Sequence, residues 1–491
     1  MSKKILVFDL GAAVCRAVLC SCENGALAAE TIHCFDNIPV TEAGHIRWNV
    51  AELFSQMQIG MSLGMFNGGF DAVTVSAWGA DFGLLDKDGE LMENPVHSCD
   101  GRTQGIIGEI SGVIKPEELF ERTGIKPVNS KTIFQLAAQL KHEGSTLFRA
   151  ESLLMMPDLF AYLLTGAKRS ELCNAGSTAL IDRVTLSWDY PVIDSLRLPR
   201  RLFCPIIRAG ERIGFLKQEF AGALGTVQIP VLACASNGIT SAAAASPCTD
   251  EEFLFVTCDE RAAVGAELTS AIIADRAFAE GFTNGIGYNG KMLFHKNIMG
   301  LQLLNDAMRY YNEACGCEYT LADLEAAARE CSSFAGMIYP DDPCFAQPDD
   351  IPTKIAEYCR RTNQPAPETA GETAYCIIKS LACEIALTLS EARQIIGRPF
   401  NKVYLTGSAA KNTLLCELIA RYSRKTVTAG SEEPSALGGG VTSLISLGEI
   451  DDIAQAREML SSPDLTRRYE PDECSVGEIN LLRRYIRLAR S

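Results

Sequence analysis

The sequence predicts an α/β protein of two domains, and three observations carry that prediction. The chain has 491 residues, more than one ordinary core organises. Strand-like apolar runs alternate with helical patterns along its length. A strand-turn-strand opening also occurs twice, from Ile5 and again from Phe253, which suggests a duplicated core.

The elements follow in chain order. Ile5-Leu6-Val7-Phe8-Asp9-Leu10 is an apolar run broken by one carboxylate, and Ala17-Val18-Leu19-Cys20 is its successor. Asn24-Gly25 is a favoured hairpin pair and leads into a third strand ending near Cys34. An acid at the end of a buried strand needs something cationic to meet it, so Asp9 stands out as a candidate beside metal and phosphate. Phe70 to Val75 reads as another strand, followed by Trp78-Gly79-Ala80-Asp81-Phe82. Helices are expected near Ile133–Lys141 and Pro157–Leu164, the latter stopped by Thr165-Gly166. Pro230 to Cys234 is a strand entering Asn237-Gly238 and a small-residue helix start at Ile239. Turn-formers and acids from Ser246 to Glu252 mark a boundary. Beyond it come strands at Phe253–Thr257, Arg261–Ala266 and Lys402–Leu405, with helix starts at Asn412 and Ser435 and an amphipathic helix over Ile479–Leu488. The expected division is 1–246, 247–455 and a helical cap at 456–491.

Composition limits the partners. A net charge of -16 argues against nucleic acid and against anionic membranes. The start shows no cleavable signal, and no run approaches the roughly 20 apolar residues that span a bilayer, so a cytoplasmic location is expected. Nineteen cysteines without a CxxC pair, in a chain poor in histidine, read as buried reduced thiols rather than zinc ligands.

Taken together, Asp9-Leu10-Gly11-Ala12, Trp78-Gly79-Ala80-Asp81-Phe82 and Leu154-Met155-Met156-Pro157-Asp158 form an ordered series. It continues with Lys296-Asn297-Ile298-Met299-Gly300-Leu301, Asn412-Thr413-Leu414-Leu415 and Leu437-Gly438. In this the chain resembles the FGGY carbohydrate kinases, and within them the rhamnulokinases. The resemblance covers essentially the whole length. It implies two RNase H-like, actin-like ATPase domains flanking a central cleft, and ATP-dependent phosphorylation of a ketose such as L-rhamnulose. ATP and Mg are the implied cofactors and a small-molecule sugar the implied partner. A second copy of the chain or another protein stays open as a further partner.

The resemblance also assigns residues. It puts Asp9 near magnesium and the γ-phosphate, and residues 11–16 (Gly11, Ala12, Ala13, Val14, Cys15, Arg16) around phosphate. Glu260, Asn305 and Ser408 fall on the nucleotide side. Trp78, Gly79, Asp81, Asn237, Ile239 and Asn297 fall on the sugar side, with Asp100 and Arg102 in a polar loop near it. Several of these residues depart from the family pattern. The family's general base is an aspartate in a Ser-His-Asp-Thr run, and here that run reads Ser236-Asn237-Gly238-Ile239, so the base position is Gly238. The hydroxyl-bearing loop after Asp9 has become Ala12-Ala13-Val14-Cys15, and a Ser-Ser-Gly-Thr phosphate loop has become Thr257-Cys258-Asp259-Glu260. A general base contributes about 10² to 10⁴ in rate, so its loss is severe. ATP binding is therefore doubted, and two functions are expected to compete: a sugar-binding pseudokinase, and an active kinase with an altered site or substrate. Simpler roles stand beside these: a core position for Trp78, a turn cap for Asp81, a solvated hairpin tip for Asp259 and Glu260, and a tight turn at Asn237-Gly238.

Overall fold

In the computed structural model, residues 2–472 and 476–490 are described, apart from 24, 227 and 348. Asn24 of the expected hairpin pair thus lies outside the described residues. The chain divides into two compact units, one comprising residues 1–245, 268–294 and 434–460, the other 246–267, 295–433 and 461–491.

The first unit is built on a meander of β1 (Lys4–Leu10), β2 (Val14–Glu23) and β3 (Ala26–Asp36). Helix α1 (Val50–Phe66) follows, started by the Asn49 side chain accepting from Glu52 N. The chain then adds β4 (Ala72–Ala77), α2 (Thr132–Arg149), α3 (Met156–Thr165), β5 (Arg212–Phe215), β6 (Pro230–Leu232) and α4 (Gly238–Ala244). The sheet order is β5-β6-β4-β1-β2-β3. Strands β1, β4 and β6 run parallel, and β2 is antiparallel to β1. Parallel strands at the centre must be covered on both faces, which explains why Ile5, Leu6, Val7 and Phe8 are all fully buried.

The second unit repeats the plan. β7 (Phe253–Cys258) pairs antiparallel with β8 (Arg261–Leu268). β9 (Met292–Met299) has its second half in this unit and leads into α5 (Gln302–Cys315). The long α6 (Ala370–Ile396) precedes β10 (Lys402–Thr406), α7 (Thr413–Ser423) and β11 (Thr426–Ala429). β7, β10 and β11 are parallel neighbours, so the run β11-β10-β7-β8 matches β6-β4-β1-β2 of the first unit in order and direction. Helix α6 is long and apolar enough to cross a membrane by length and composition alone, and it lies buried as a core helix.

The linear division at 246 and 455 is only partly the observed one. Helix α8 (Pro434–Ser446) and the residues to Leu460 pack with the first unit. The reason lies in a glycine stripe. A Cβ on Gly438 would stand 1.9 Å from Ser241 O, and one on Gly440 2.7 Å from Cys20 Cβ, so only glycine lets α8 lie this close to α4 and β2. After Leu460 the chain returns to the second unit, where β12 (Arg467–Tyr469) pairs with β11 and α9 (Val476–Ala489) follows. The expected cap at 456–491 is therefore split between the two units.

Candidate functional site

In the first unit, the carboxyl ends of the parallel strands bring the expected residues together. Ala77 at the end of β4 bridges to Asn237, and Ala77 N donates to Ser236 O at 3.0 Å. Asp9 is the buried register partner of Arg16 on β2 and of Ser76 on β4. Arg16 is thus the cross-strand neighbour of this acid. The following loop is a tight turn. Gly11 N donates to Val14 O at 3.2 Å, while Asn37 donates its backbone N–H to Ala13 O at 2.8 Å and its side-chain amide to Gly11 O at 2.9 Å. Ala12 and Ala13 are exposed and offer no hydroxyl, Val14 and Arg16 are half-buried, and burial with Asp9 nearby pushes the Cys15 thiol up to about 12. Cys15 is thus a neutral thiol and a poor ligand.

Asn237 and Gly238 form a helix start rather than a free turn. The Asn237 side chain accepts from Ile239 N at 3.1 Å and caps α4, of which Gly238 is the first residue. Gly238 has room for a side chain: a Cβ there would make an ordinary contact with Ser435 Oγ at 3.5 Å. Gly79 lies against the same cap, since a Cβ on it would stand 2.8 Å from Asn237 Nδ2 and 2.9 Å from Ser177 Oγ. Gly79, Asn237, Gly238 and Ile239 are half-buried.

Asp81 is not open to a ligand. It is fully buried and accepts from Trp48 Nε1 at 2.7 Å, Trp78 Nε1 at 3.1 Å and Gln135 Nε2 at 3.0 Å. Burial raises its carboxyl above the usual range, against the pull of Gln135 and Trp48. The resemblance puts Asp81 on the sugar side; in this structure its contacts are the two indoles and Gln135. Trp48 packs on Trp78 with ring centres 4.2 Å apart and on His97 at 4.3 Å. Burial lowers the His97 imidazole, which keeps it neutral in this stack. Gln135 also accepts from Arg102 Nη2 at 2.8 Å. Asp100 accepts from Arg102 N, Ile46 N and His45, and these bonds outweigh its partial burial and hold its carboxyl low. Trp48, His97 and Gln135 were missed in the sequence because nothing local marks them. A conspicuous Trp-x-x-Asp at 78–81 was the only hint that an indole donor needed a carboxylate.

In the second unit, the ends of parallel β7 and β10 adjoin. Asp259, just past β7, accepts from Ser408 N at 2.8 Å and Ser408 Oγ at 2.8 Å. Gly407 makes this possible with φ 92°, and a Cβ on it would meet Cys258 O at 2.6 Å. Asp259 and Glu260 sit at an exposed hairpin tip, but one that is tied down: Leu301 N donates to Asp259 O at 2.7 Å and Gly300 N to Glu260 O at 3.0 Å. Partial burial pushes the Glu260 carboxyl up, and Asp306 and Asp259 add to the effect. Asn305 is half-buried on the first turn of α5, and Asn297 is exposed on β9. Among the described residues, no group of three His, Cys, Asp or Glu gathers that could hold a metal ion.

Comparison with known proteins identifies the family and the fold. The N-terminal domain of the FGGY family of carbohydrate kinases matches residues 4–244, and the C-terminal domain of that family matches residues 255–446. A rhamnulokinase of Bacteroides thetaiotaomicron is 31% identical over 97% of this chain and 98% of its own. One of Halalkalibacterium halodurans is 32% identical over 94% of this chain and 98% of its own. The fold matches a gluconate kinase from Lactobacillus acidophilus with a TM-score of 0.79 at 16% identity, covering 100% of this chain and 97% of that one. It also matches a Plasmodium falciparum glycerol kinase solved with ADP, with a TM-score of 0.77 at 13% identity, covering 99% and 97%. The resemblance read from the motifs and the two-domain actin-like fold are both borne out, and the chain belongs to the FGGY family of carbohydrate kinases.

Proposed function

We propose that this chain is a sugar-binding member of the family in which ATP-dependent phosphorylation of a ketose, such as L-rhamnulose, is lost or strongly impaired. The carrying observation is Gly238. The position that the family resemblance gives to the general base has no side chain, although a Cβ would be accommodated there. Two buried acids of the first unit, Asp81 and Glu171, do not offer a replacement. Asp81 is buried under two indoles and Gln135. Glu171 is buried and accepts from Ser236 Oγ at 2.7 Å, Cys173 N at 3.0 Å and Asn174 N at 3.1 Å. A general base must reach the hydroxyl it deprotonates, and neither carboxylate is exposed to one.

The residues present do not suit a magnesium nucleotide. Triphosphate needs backbone and hydroxyl donors. The Ser408 donors are already taken by Asp259, the turn at 11–14 has no hydroxyl, and Glu260 adds a second acid beside Asp259. The sugar-side cap at Gly79 and Asn237 keeps polar groups that can meet a hydroxyl.

Full-length similarity to rhamnulokinases favours the second reading, an active kinase with an altered site. Assay of ADP release with L-rhamnulose and a panel of other ketoses decides between them. Turnover in the range of about 1 to 100 s⁻¹ ordinary for kinases would sink the proposal. Saturable calorimetric binding of a ketose without turnover is the expected result.

A further inference from the structure

A cavity lies within the second unit, lined by none of the strand-end residues described above. It measures about 370 Å³ and is lined by Ser332, Ser333, Tyr375, Lys379, Asn480 and Arg484 among others. Lys379 projects from α6 and is 2% exposed. Among the described residues its one hydrogen-bond acceptor is Phe334 O, and its ammonium also lies 4.8 Å from the centre of the Tyr375 ring. Arg484 comes from α9 and donates to Ala335 O at 2.8 Å and to Gln364 Oε1.

Neither cation has a carboxylate partner among the described residues. Glu384, further along α6, accepts instead from Tyr485 OH at 2.9 Å. Two cations therefore share a partly enclosed site and repel each other, in a chain whose net charge is -16. Proteins seldom bury an unpaired charge, because desolvation is costly. Burial already draws the Lys379 ammonium down to about 8, so it is held in its charged form at neutral pH only narrowly. An anion would relieve both groups at once.

We propose that this cavity binds a small phosphate monoester, with its dianionic head on Lys379 and Arg484 and the Ser332 and Ser333 hydroxyls as further donors. Phosphate suits the pair because a dianion balances two cations, and guanidinium and ammonium are its usual partners. The volume falls at the lower end of small-molecule sites, about 300 to 1,000 Å³, so the ring of a sugar phosphate fits beside Tyr375 as well as the head.

The test is calorimetric titration of the full chain with inorganic phosphate and, separately, with a hexose 1-phosphate. One saturable site with Kd of about 1 mM or tighter is expected for at least one of them. Tighter binding of the hexose phosphate assigns the sugar ring a place in the cavity, and equal binding assigns the head alone. Arg484→Gln, at a half-buried position, should weaken binding by about tenfold or more, as should Lys379→Met. Should Lys379→Met fail to fold, Arg484→Gln decides alone. Absence of saturable binding, or binding that Arg484→Gln leaves unchanged, would overturn the proposal. The result is independent of kinase turnover, since it stands or falls on Arg484, which lies outside the strand-end site.

Discussion

The Asp259 carboxylate holds both donors of Ser408, backbone N–H and hydroxyl, each at 2.8 Å. An acid of the chain thus fills a donor pair of the kind that binds an external anion. Replacing Asp259 with Gly frees Ser408 and removes a negative charge. We expect little or no magnesium-ADP binding by the unaltered chain and a gain of about tenfold to a hundredfold in affinity for Asp259→Gly, read by calorimetry. Equal, micromolar binding by both chains would show that Asp259 is no obstacle.

Gly238 leaves room for a carboxylate at the first residue of α4, where a negative charge is favourable. Gly238→Asp should therefore fold with an unchanged melting temperature. Alone it should create little turnover. Combined with Asp259→Gly and Glu260→Thr it should raise ketose phosphorylation by about 10² to 10⁴ over the unaltered chain. A triple variant that folds, binds nucleotide and stays inert would refute the account of what was lost.

Asp81 is a structural acid by its contacts. Asp81→Ala leaves Trp48, Trp78 and Gln135 each without an acceptor, and should cost about 3 kcal/mol in denaturant unfolding. A loss of sugar affinity at full stability would instead return Asp81 to the ligand.

Helix α8 tolerates no side chain at Gly438. Gly438→Ala places a methyl 1.9 Å from Ser241 O and should destabilise by about 3 kcal/mol or more, whereas the neighbouring Ser435→Ala should change stability by less than about 1 kcal/mol.

Lys379 sets a pH dependence. Its ammonium titrates near 8 when folded and near 10.5 in an ordinary setting, so between these values the unfolded chain binds more protons than the folded one. Stability from this group therefore rises as pH rises from about 8 to 10. The stability of the unaltered chain minus that of Lys379→Met should grow across that window, as measured by urea unfolding at each pH. A flat difference would mean the lysine titrates normally.

Much of the architecture was legible because its signals are local. The apolar runs at Ile5, Phe253 and Lys402 became central strands, and Asn412 does cap α7, accepting from Leu415 N at 2.8 Å. At Gly238 the sequence alone shows that the base position carries no side chain. What escaped are relationships between distant residues. Trp48 lies 33 residues from Asp81, and Gln135 lies 54 away. The Asp259–Ser408 link spans 149 residues, so two acids at a hairpin tip gave no sign that one of them had an internal partner. Likewise, nothing near Gly438 and Gly440 in the sequence shows that they pack on Ser241 and Cys20.

That helix has a consequence for how the protein is made. Val7 and Cys20, in the first strands to leave the ribosome, are covered by Gly439 and Gly440, which are synthesised more than 400 residues later. Until then the first unit carries an uncovered apolar face, the kind of surface that invites aggregation during synthesis. A fragment ending at residue 245 would keep that face permanently, so truncation at the apparent domain boundary should yield an insoluble product, and the first unit is completed only after residues 246–433 have emerged.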